Sequence, residues 1–178
     1  EEIKDLIQKT ETNLELPVVC ERIKRSEGIL FKLCYFFHKL ITKTFTGKSI
    51  RFGNFTCLPK IIIKKMIEEK ATWSSFSGAL SKISKDKIAV SSERGTRYFG
   101  PSKMSFKNLI VHSLSIISVF KYNVLIRSIL FFFVYIFLIY EKISVITLIP
   151  LLLMIIFNLL VFVISRRENL ENYRKSDL

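Results

Sequence analysis

Three cations within ten residues, Arg94, Arg97 and Lys103, share the run Ser92-Glu93-Arg94-Gly95-Thr96-Arg97-Tyr98-Phe99-Gly100-Pro101-Ser102-Lys103-Met104. Two glycines and a proline make this run too turn-rich and too polar for a core. Guanidinium and ammonium groups on a backbone freed by Gly95 and Gly100 suit a mobile clamp over a polyanion, with Ser102 as an extra donor. The plainer reading is a solvated basic loop. From Lys24 to Lys65 ten Lys or Arg face a single acid, Glu27. That balance points to phosphate or to an anionic membrane surface.

Other reactive residue types lead to less. Cys34 and His38 lie four apart, a spacing that suits zinc on one helix face. No second ligand pair follows, because His112 is the only other histidine. Cys20, Cys34 and Cys57 form no CxxC and are odd in number, so they read as reduced thiols of a cytosolic compartment, buried as small apolar groups. Gly47-Lys48-Ser49 resembles the end of a P-loop, but Thr42 stands where the earlier glycine belongs and no strand feeds the turn. The aspartates Asp5, Asp86 and Asp177 are all isolated in sequence, so no metal-ligand set is expected in this chain.

Charge and hydropathy explain what these residues are attached to. The chain has 178 residues, 28 Lys+Arg against 15 Asp+Glu, a net charge of +13, 49% hydrophobic residues and a mean hydropathy of +0.33. Such values coexist only if charge and apolar residues are segregated. Between Asn123 and Ser165 the only charges are Arg127, Glu141 and Lys142. A disordered tail, a disulfide-rich secreted domain and a simple soluble basic protein are excluded. Nucleic acid is not an expected partner, because the aromatics fall at apolar helix positions. The first residue is Glu and no signal sequence opens the chain, so the expectation is a segment that begins inside a longer protein.

The elements follow from periodicity. Residues 1–10 predict a helix with Ile3, Leu6 and Ile7 on one stripe, and Leu16 to Cys20 a short buried strand. Glu21 to Glu27 reads as a charged loop. Gly28 to Phe45 reads as a helix with more than one buried face, Ile50 to Leu58 as strand or turn, and Pro59 opens an amphipathic helix carrying Ile62, Ile63, Met66 and Ile67. Residues 71–83 predict one helix with Trp73 in the core, and Lys87 to Ser91 a strand. Residues 105–120 predict an amphipathic helix with Phe106, Leu109, Ile110, Leu114, Ile117 and Phe120 on one side and Lys107, Ser115 and Ser118 on the other. Val124 to Tyr140 and Ile143 to Ile164 are each long enough to cross a bilayer and are separated only by Glu141-Lys142, a tight hairpin. Pro150 and Asn158 need partners from a neighbouring helix. Lys103, Lys107, Lys121 and Arg127 before the hairpin and Arg166-Arg167 after it place both termini in the cytoplasm, in an integral membrane protein of two spans.

The stretch from residue 92 to 127 resembles the C-terminal part of a family 2 glycosyltransferase of the polyprenyl-phosphate (dolichol-phosphate mannosyltransferase-like) type. That group ends in an R-x-x-x-G-x-S-K loop, a juxtamembrane helix and transmembrane helices. Here the loop reads Arg94/Arg97-Tyr98-Phe99-Gly100-Pro101-Ser102-Lys103-Met104 and runs on into Leu109 to Phe120, similar to the membrane-docking helix. Val18 to Arg25 resembles the strand and arginines after the metal motif, and Arg51-Phe52-Gly53-Asn54-Phe55 the segment beside the acceptor. The metal-holding D-x-D motif is not in this chain.

The resemblance implies an α/β fold: the C-terminal half of a GT-A-like nucleotide-sugar transferase domain. Residues 1–104 would be its acceptor half, 105–122 a juxtamembrane helix, 123–165 a transmembrane hairpin and 166–178 a cytoplasmic tail. It implies inverting transfer of a sugar from a nucleotide-sugar to a polyprenyl-phosphate or related lipid acceptor. Arg94, Arg97, Ser102 and Lys103 would bind the nucleotide diphosphate, and Arg22 and Arg25 the acceptor phosphate, with no catalytic residue assigned. A divalent metal (Mg or Mn) is implied for the full-length enzyme with ligands outside this chain, which alone would be inactive. The transmembrane helices offer a homo-oligomer contact. The competing expectation is a non-enzymatic membrane protein whose basic cytoplasmic domain binds anionic lipid.

Overall fold

The fold comes from a computed structural model that describes residues 2–24, 29–93 and 105–167. In chain order the elements are α1 (Glu2–Thr12), β1 (Val18–Lys24), α2 (Ile29–Thr46), β2 (Phe52–Cys57), α3 (Lys60–Glu68), α4 (Ala71–Ser74), α5 (Phe76–Ile83), β3 (Ile88–Glu93), α6 (Phe106–Ser118), α7 (Lys121–Ile139), a 3₁₀ turn (Tyr140–Lys142) and α8 (Val145–Ser165). Helix dominates, and the α/β character is confined to one small sheet of three strands ordered β2-β1-β3.

β1 sits at the centre because Val18, Val19 and Cys20 are apolar on both faces. Side chains alternate across a strand, so Val18 and Cys20 point one way and Val19 the other. On the first face Val18, Cys20 and Val90 bury Leu6 of α1. On the second, Val19 joins Ile50, Ile62, Met66, Ala71, Ala79, Leu80, Ile116, Val119 and Phe120, the main core. β2 runs antiparallel to β1, pairing Val18 with Cys57 and Glu21 with Phe52, with a register shift between Val19 and Glu21. β3 runs parallel to β1, from Val18 opposite Ile88 to Lys24 opposite Glu93.

Several expectations change. Glu21 to Lys24 is strand and not loop, because β3 continues alongside it and satisfies its backbone. The helix expected over 71–83 breaks at Ser75, whose backbone is extended (φ −156°, ψ 109°) and whose Oγ accepts from the Gly78 amide at 3.2 Å, starting α5 afresh. Of the expected α1 stripe only Leu6 is buried, and Ile3 and Ile7 are exposed. In α3 the core takes Ile62 and Met66 and leaves Ile63 and Ile67 outside. Trp73 is exposed as well, and not part of the core.

Two helices are buried differently from expectation, although Ile117 and Phe120 of the expected α6 side are buried as foreseen. Ser115 and Ser118 of α6 are buried, while Phe106 and Ile110 are exposed. The Ser118 hydroxyl donates to the Ser115 carbonyl at 2.9 Å, which lets this side enter the core without an unmet donor. α2 has a single buried side, centred on Thr42 and Thr46. Its apolar stripe Leu33, Phe36, Phe37, Leu40 and Ile41 is exposed.

The C-terminal helices are continuous with the folded part. Ile117 of α6, Val124 of α7 and Val161 of α8 form a buried cluster, with Phe45, Leu114 and Phe157 packed on it. α7 and α8 are long and apolar enough to cross a membrane.

Leu80 is fully buried between α3, β2 and α6. Leu80→Ala is expected to cost about 2–5 kcal/mol of stability, through lost burial and the cavity left behind. Exposed Ile61→Ala should stay within about 0.5 kcal/mol. Thermal unfolding of the two variants in one detergent, followed by circular dichroism, checks the difference.

Candidate functional site

The parallel pairing of β1 and β3 decides where the expected phosphate-binding residues leave the sheet. Arg22 lies opposite Ser92, and Lys24 opposite Glu93, the last residue of β3. Both strands therefore deliver the chain to the same sheet end, one toward Arg25 and the other toward Arg94. Arg22 belongs to β1 by its backbone. Its side chain, and Arg25, Arg94, Arg97, Ser102 and Lys103 altogether, lie outside the described residues. In open sheets with parallel strands, ligands gather at the carboxyl ends of those strands. Ser105 begins α6 with its Oγ accepting from the Asn108 amide at 3.2 Å, so the basic run bridges the sheet end and the helix that leads to α7.

The remaining motifs have structural occupations. Gly47 is not part of a phosphate loop. It ends α2 with φ +74°, its amide donating to the Lys43 carbonyl at 2.9 Å. Over it lies Arg127 of α7, whose Nη1 donates to the Thr44 carbonyl at 3.0 Å. The positive φ favours glycine, and a Cβ there would stand 2.7 Å from Arg127 Nη2, so the guanidinium would have to move aside. The one charge inside the first apolar span thus interacts with the carbonyl end of α2, where a cation is favoured by the helix dipole. His38 Nδ1 shares a hydrogen bond with Thr42 Oγ1 at 3.3 Å. Among the described residues no three His, Cys, Asp or Glu side chains are grouped to hold a metal.

A basic feature that sequence reasoning overlooked lies just before β3, beside Phe52 of β2. Lys87 Nζ donates to the Ser84 carbonyl at 2.6 Å and lies 5.7 Å from the centre of the Phe52 ring. Burial, then repulsion from Lys48, pulls its pKa below that of a free lysine, partly offset by Asp86. No spacing in the sequence announced this cluster, because it forms between the α2–β2 connection and the start of β3.

The hairpin carries its own polar contacts. Asn158 Nδ2 donates to Ser128 Oγ and to the Met154 carbonyl, both at 2.9 Å, so the neighbouring helix supplies a partner for the amide donor, while Oδ1 is buried without one. Lys121 Nζ reaches Ser165 Oγ at 3.4 Å, and Tyr135 OH donates to the Thr147 carbonyl at 3.0 Å. At the tip Ser144 and Thr147 exchange side chain–backbone bonds in a capping box that starts α8.

No protein-family model, no curated protein and no solved structure matches this chain.

Gly47→Ala is expected to cost about 1–2 kcal/mol from its left-handed backbone alone. It should also displace the Arg127 guanidinium. Gly47→Ala and Arg127→Ala should therefore be non-additive, the double variant losing less than the sum of the singles. A thermal-unfolding cycle of the four proteins in one detergent measures this, and strict additivity would mean that the two residues act independently.

Proposed function

We propose that this chain is the acceptor-binding and membrane-anchoring part of an inverting glycosyltransferase, of the polyprenyl-phosphate type within family 2 and with a GT-A-like catalytic fold. The observation that carries this reading is the shared sheet end of β1 and β3, from which both Arg22–Arg25 and Arg94–Lys103 depart. The position of α6 and the apolar helices directly after the basic run supports it further. A lipid acceptor must come from the membrane, and a water-soluble sugar donor from the cytoplasm. A cationic sheet end next to a membrane anchor suits both.

In the proposed reaction an oxygen of polyprenyl phosphate attacks the anomeric carbon of the nucleotide-sugar. The bond from that carbon to the diphosphate breaks, and the nucleoside diphosphate departs with the bonding electrons. Configuration inverts because attack and departure are on opposite sides. Two anions must approach each other, so cations have to offset their repulsion. Arg94, Arg97, Ser102 and Lys103 take the diphosphate in this scheme, and Arg22 and Arg25 hold the acceptor phosphate. Arginine suits both tasks, since its planar fork grips two phosphate oxygens at once. The divalent metal that the resemblance implies for the full-length enzyme would neutralise diphosphate charge when bound, with ligands from outside this chain.

The cations at the base of the hairpin, Lys121, Arg127, Arg166 and Arg167, favour a second reading: a basic membrane protein that holds anionic lipid without catalysis. The two differ in selectivity. Under the transferase reading, the chain in nanodiscs binds a photoreactive polyprenyl phosphate in a manner relieved by unlabelled polyprenyl phosphate and not by equal phosphatidylglycerol. Arg22→Ala with Arg25→Ala should weaken that binding roughly 10- to 150-fold, the loss of a charge-assisted hydrogen bond of about 1.5–3 kcal/mol. Equal competition by phosphatidylglycerol would favour the non-enzymatic reading.

Orientation is part of the proposal. The excess of Lys and Arg on both flanks of the hairpin, against Lys142 beside Glu141 at its tip, supports a cytoplasmic location for both ends. With the native cysteines replaced, a cysteine at Lys85 or Ser176 should resist an impermeant thiol reagent in intact cells, and one at Glu141 should react. Labelling at Lys85 and protection at Glu141 would invert the arrangement.

A further inference from the structure

We propose that α2 is a membrane helix lying in the bilayer boundary beside the hairpin, with the stripe Leu33, Phe36, Phe37, Leu40 and Ile41 in the acyl chains. It rests on the reading of α7 and α8 as a bilayer-crossing hairpin, and not on any transferase activity.

The first support is the direction in which α2 faces. At 100° per residue these five positions make one stripe, and all five are exposed, Phe36 at 59%. The opposite side is the one buried in the protein, and it is the polar one, with Thr42 at 2% and Thr46 at 1% exposure. A helix that turns hydroxyls inward and phenylalanines outward is arranged for an apolar medium. Lys32, Lys39 and Lys43 gather on one flank of the stripe, where long cationic side chains can reach headgroups while the helix body stays in lipid.

The second support is continuity with the hairpin. The last turns of α2 touch both spans: Thr44 accepts from Arg127 of α7, and the rings of Phe45 and Phe157 of α8 stand 4.8 Å apart. The apolar stripe thus adjoins the exposed apolar surface of α7 and α8.

The third support is length, and it sets the depth. α7 has 19 residues and α8 has 21, about 28 and 31 Å at 1.5 Å per residue, so the full helices are needed to cross a hydrocarbon core of about 30 Å. From Arg127 to the tip at Tyr140 the rise is only about 20 Å. If the tip reaches the far headgroups, the layer where α2 meets the hairpin lies inside the near edge of the hydrocarbon. Were α2 instead held in water, the hairpin would stop short and be re-entrant. A crossing hairpin and a dry α2 stripe are therefore one geometric requirement.

The test places a single tryptophan in the full chain, with Trp73→Phe, in phosphatidylcholine vesicles containing phosphatidylglycerol. The reporter positions are Phe37→Trp on the stripe, Phe133→Trp on the hairpin and Lys85→Trp on the soluble side. Phe37→Trp should emit blue-shifted light, lose roughly half its emission to lipids brominated near the carbonyl end, and resist iodide. Phe133→Trp should respond more to lipids brominated near the chain centre. Lys85→Trp should answer only to iodide. Iodide quenching of Phe37→Trp with lipid quenching of Phe133→Trp would overturn the proposal while leaving the hairpin standing. Protection of Phe37→Trp from both quenchers would overturn it in favour of a second copy or another protein on the stripe. Absence of lipid quenching at Phe133→Trp would remove the hairpin reading and this inference with it.

Discussion

The hydrogen bond from Arg127 to the Thr44 carbonyl joins the long apolar helix α7 to the end of α2. An arginine entering an apolar span must keep its charge and find acceptors. The carbonyl end of α2 provides them, and Gly47 leaves the space for the guanidinium. Around that contact the buried Ile117, Val124 and Val161 tie α6, α7 and α8 together, with Phe45 bringing in α2. The two long apolar helices α7 and α8 are therefore packed on the rest of the protein at their base. Through Ile116, Val119 and Phe120 the end of α6 also belongs to the core around Val19 and Leu80.

The sheet imposes a second constraint. With only three strands, β1 must serve as the shared partner of both others, and its apolar residues occupy both faces. One register shift, between Val19 and Glu21, falls on the β2 side, and a second, between Arg22 and Lys24, on the β3 side, where pairing still reaches Lys24. A strand that is apolar at its start and charged at its end can be buried at one end and offer cations at the other. β1 changes character along its length in this way, from Val18-Val19-Cys20 to Glu21-Arg22-Ile23-Lys24.

Helix positions and the apolar spans were legible in the amino-acid sequence because periodicity and hydropathy are local signals. The expected helices over 1–10, 28–45, 105–120 and the two spans all have counterparts. What periodicity cannot say is which medium an apolar stripe meets. The stripes of α2 and α6 look alike on paper, yet one side of α6 is sealed in the core through the Ser118–Ser115 bond, and the stripe of α2 faces outward. The break at Ser75 had a readable sign, a serine ahead of Phe76 suited to capping, overridden by the longer apolar pattern around it. The parallel partnership of β1 and β3 was not readable, since it joins residues about seventy apart through no local preference. For the candidate site, the strand bearing Arg22 was partly visible, and the basic run from Arg94 to Lys103 lies outside the described residues. Arg127 was visible as a lone charge, but its partner Thr44, 83 residues away, was not.

The hairpin shows how an apolar helix pair can still have one register. In lipid, two Leu- and Phe-rich helices gain no hydrophobic energy by meeting, so polar contacts and shape must align them. On α7 the residues that bond across are Lys121, Ser128 and Tyr135, each seven after the last, so they fall on one face of the helix. They meet Ser165, Asn158 and the Thr147 carbonyl in descending order, as an antiparallel pair requires. Val124 and Val161 fill the layer between the first two rungs and are fully buried. Each rung in a membrane is worth only about 0.6 kcal/mol. Sliding α8 by one residue would misalign all three at once, however, and take Asn158 away from Ser128. Their sum opposes slippage, and the capping box at Ser144 fixes where α8 begins.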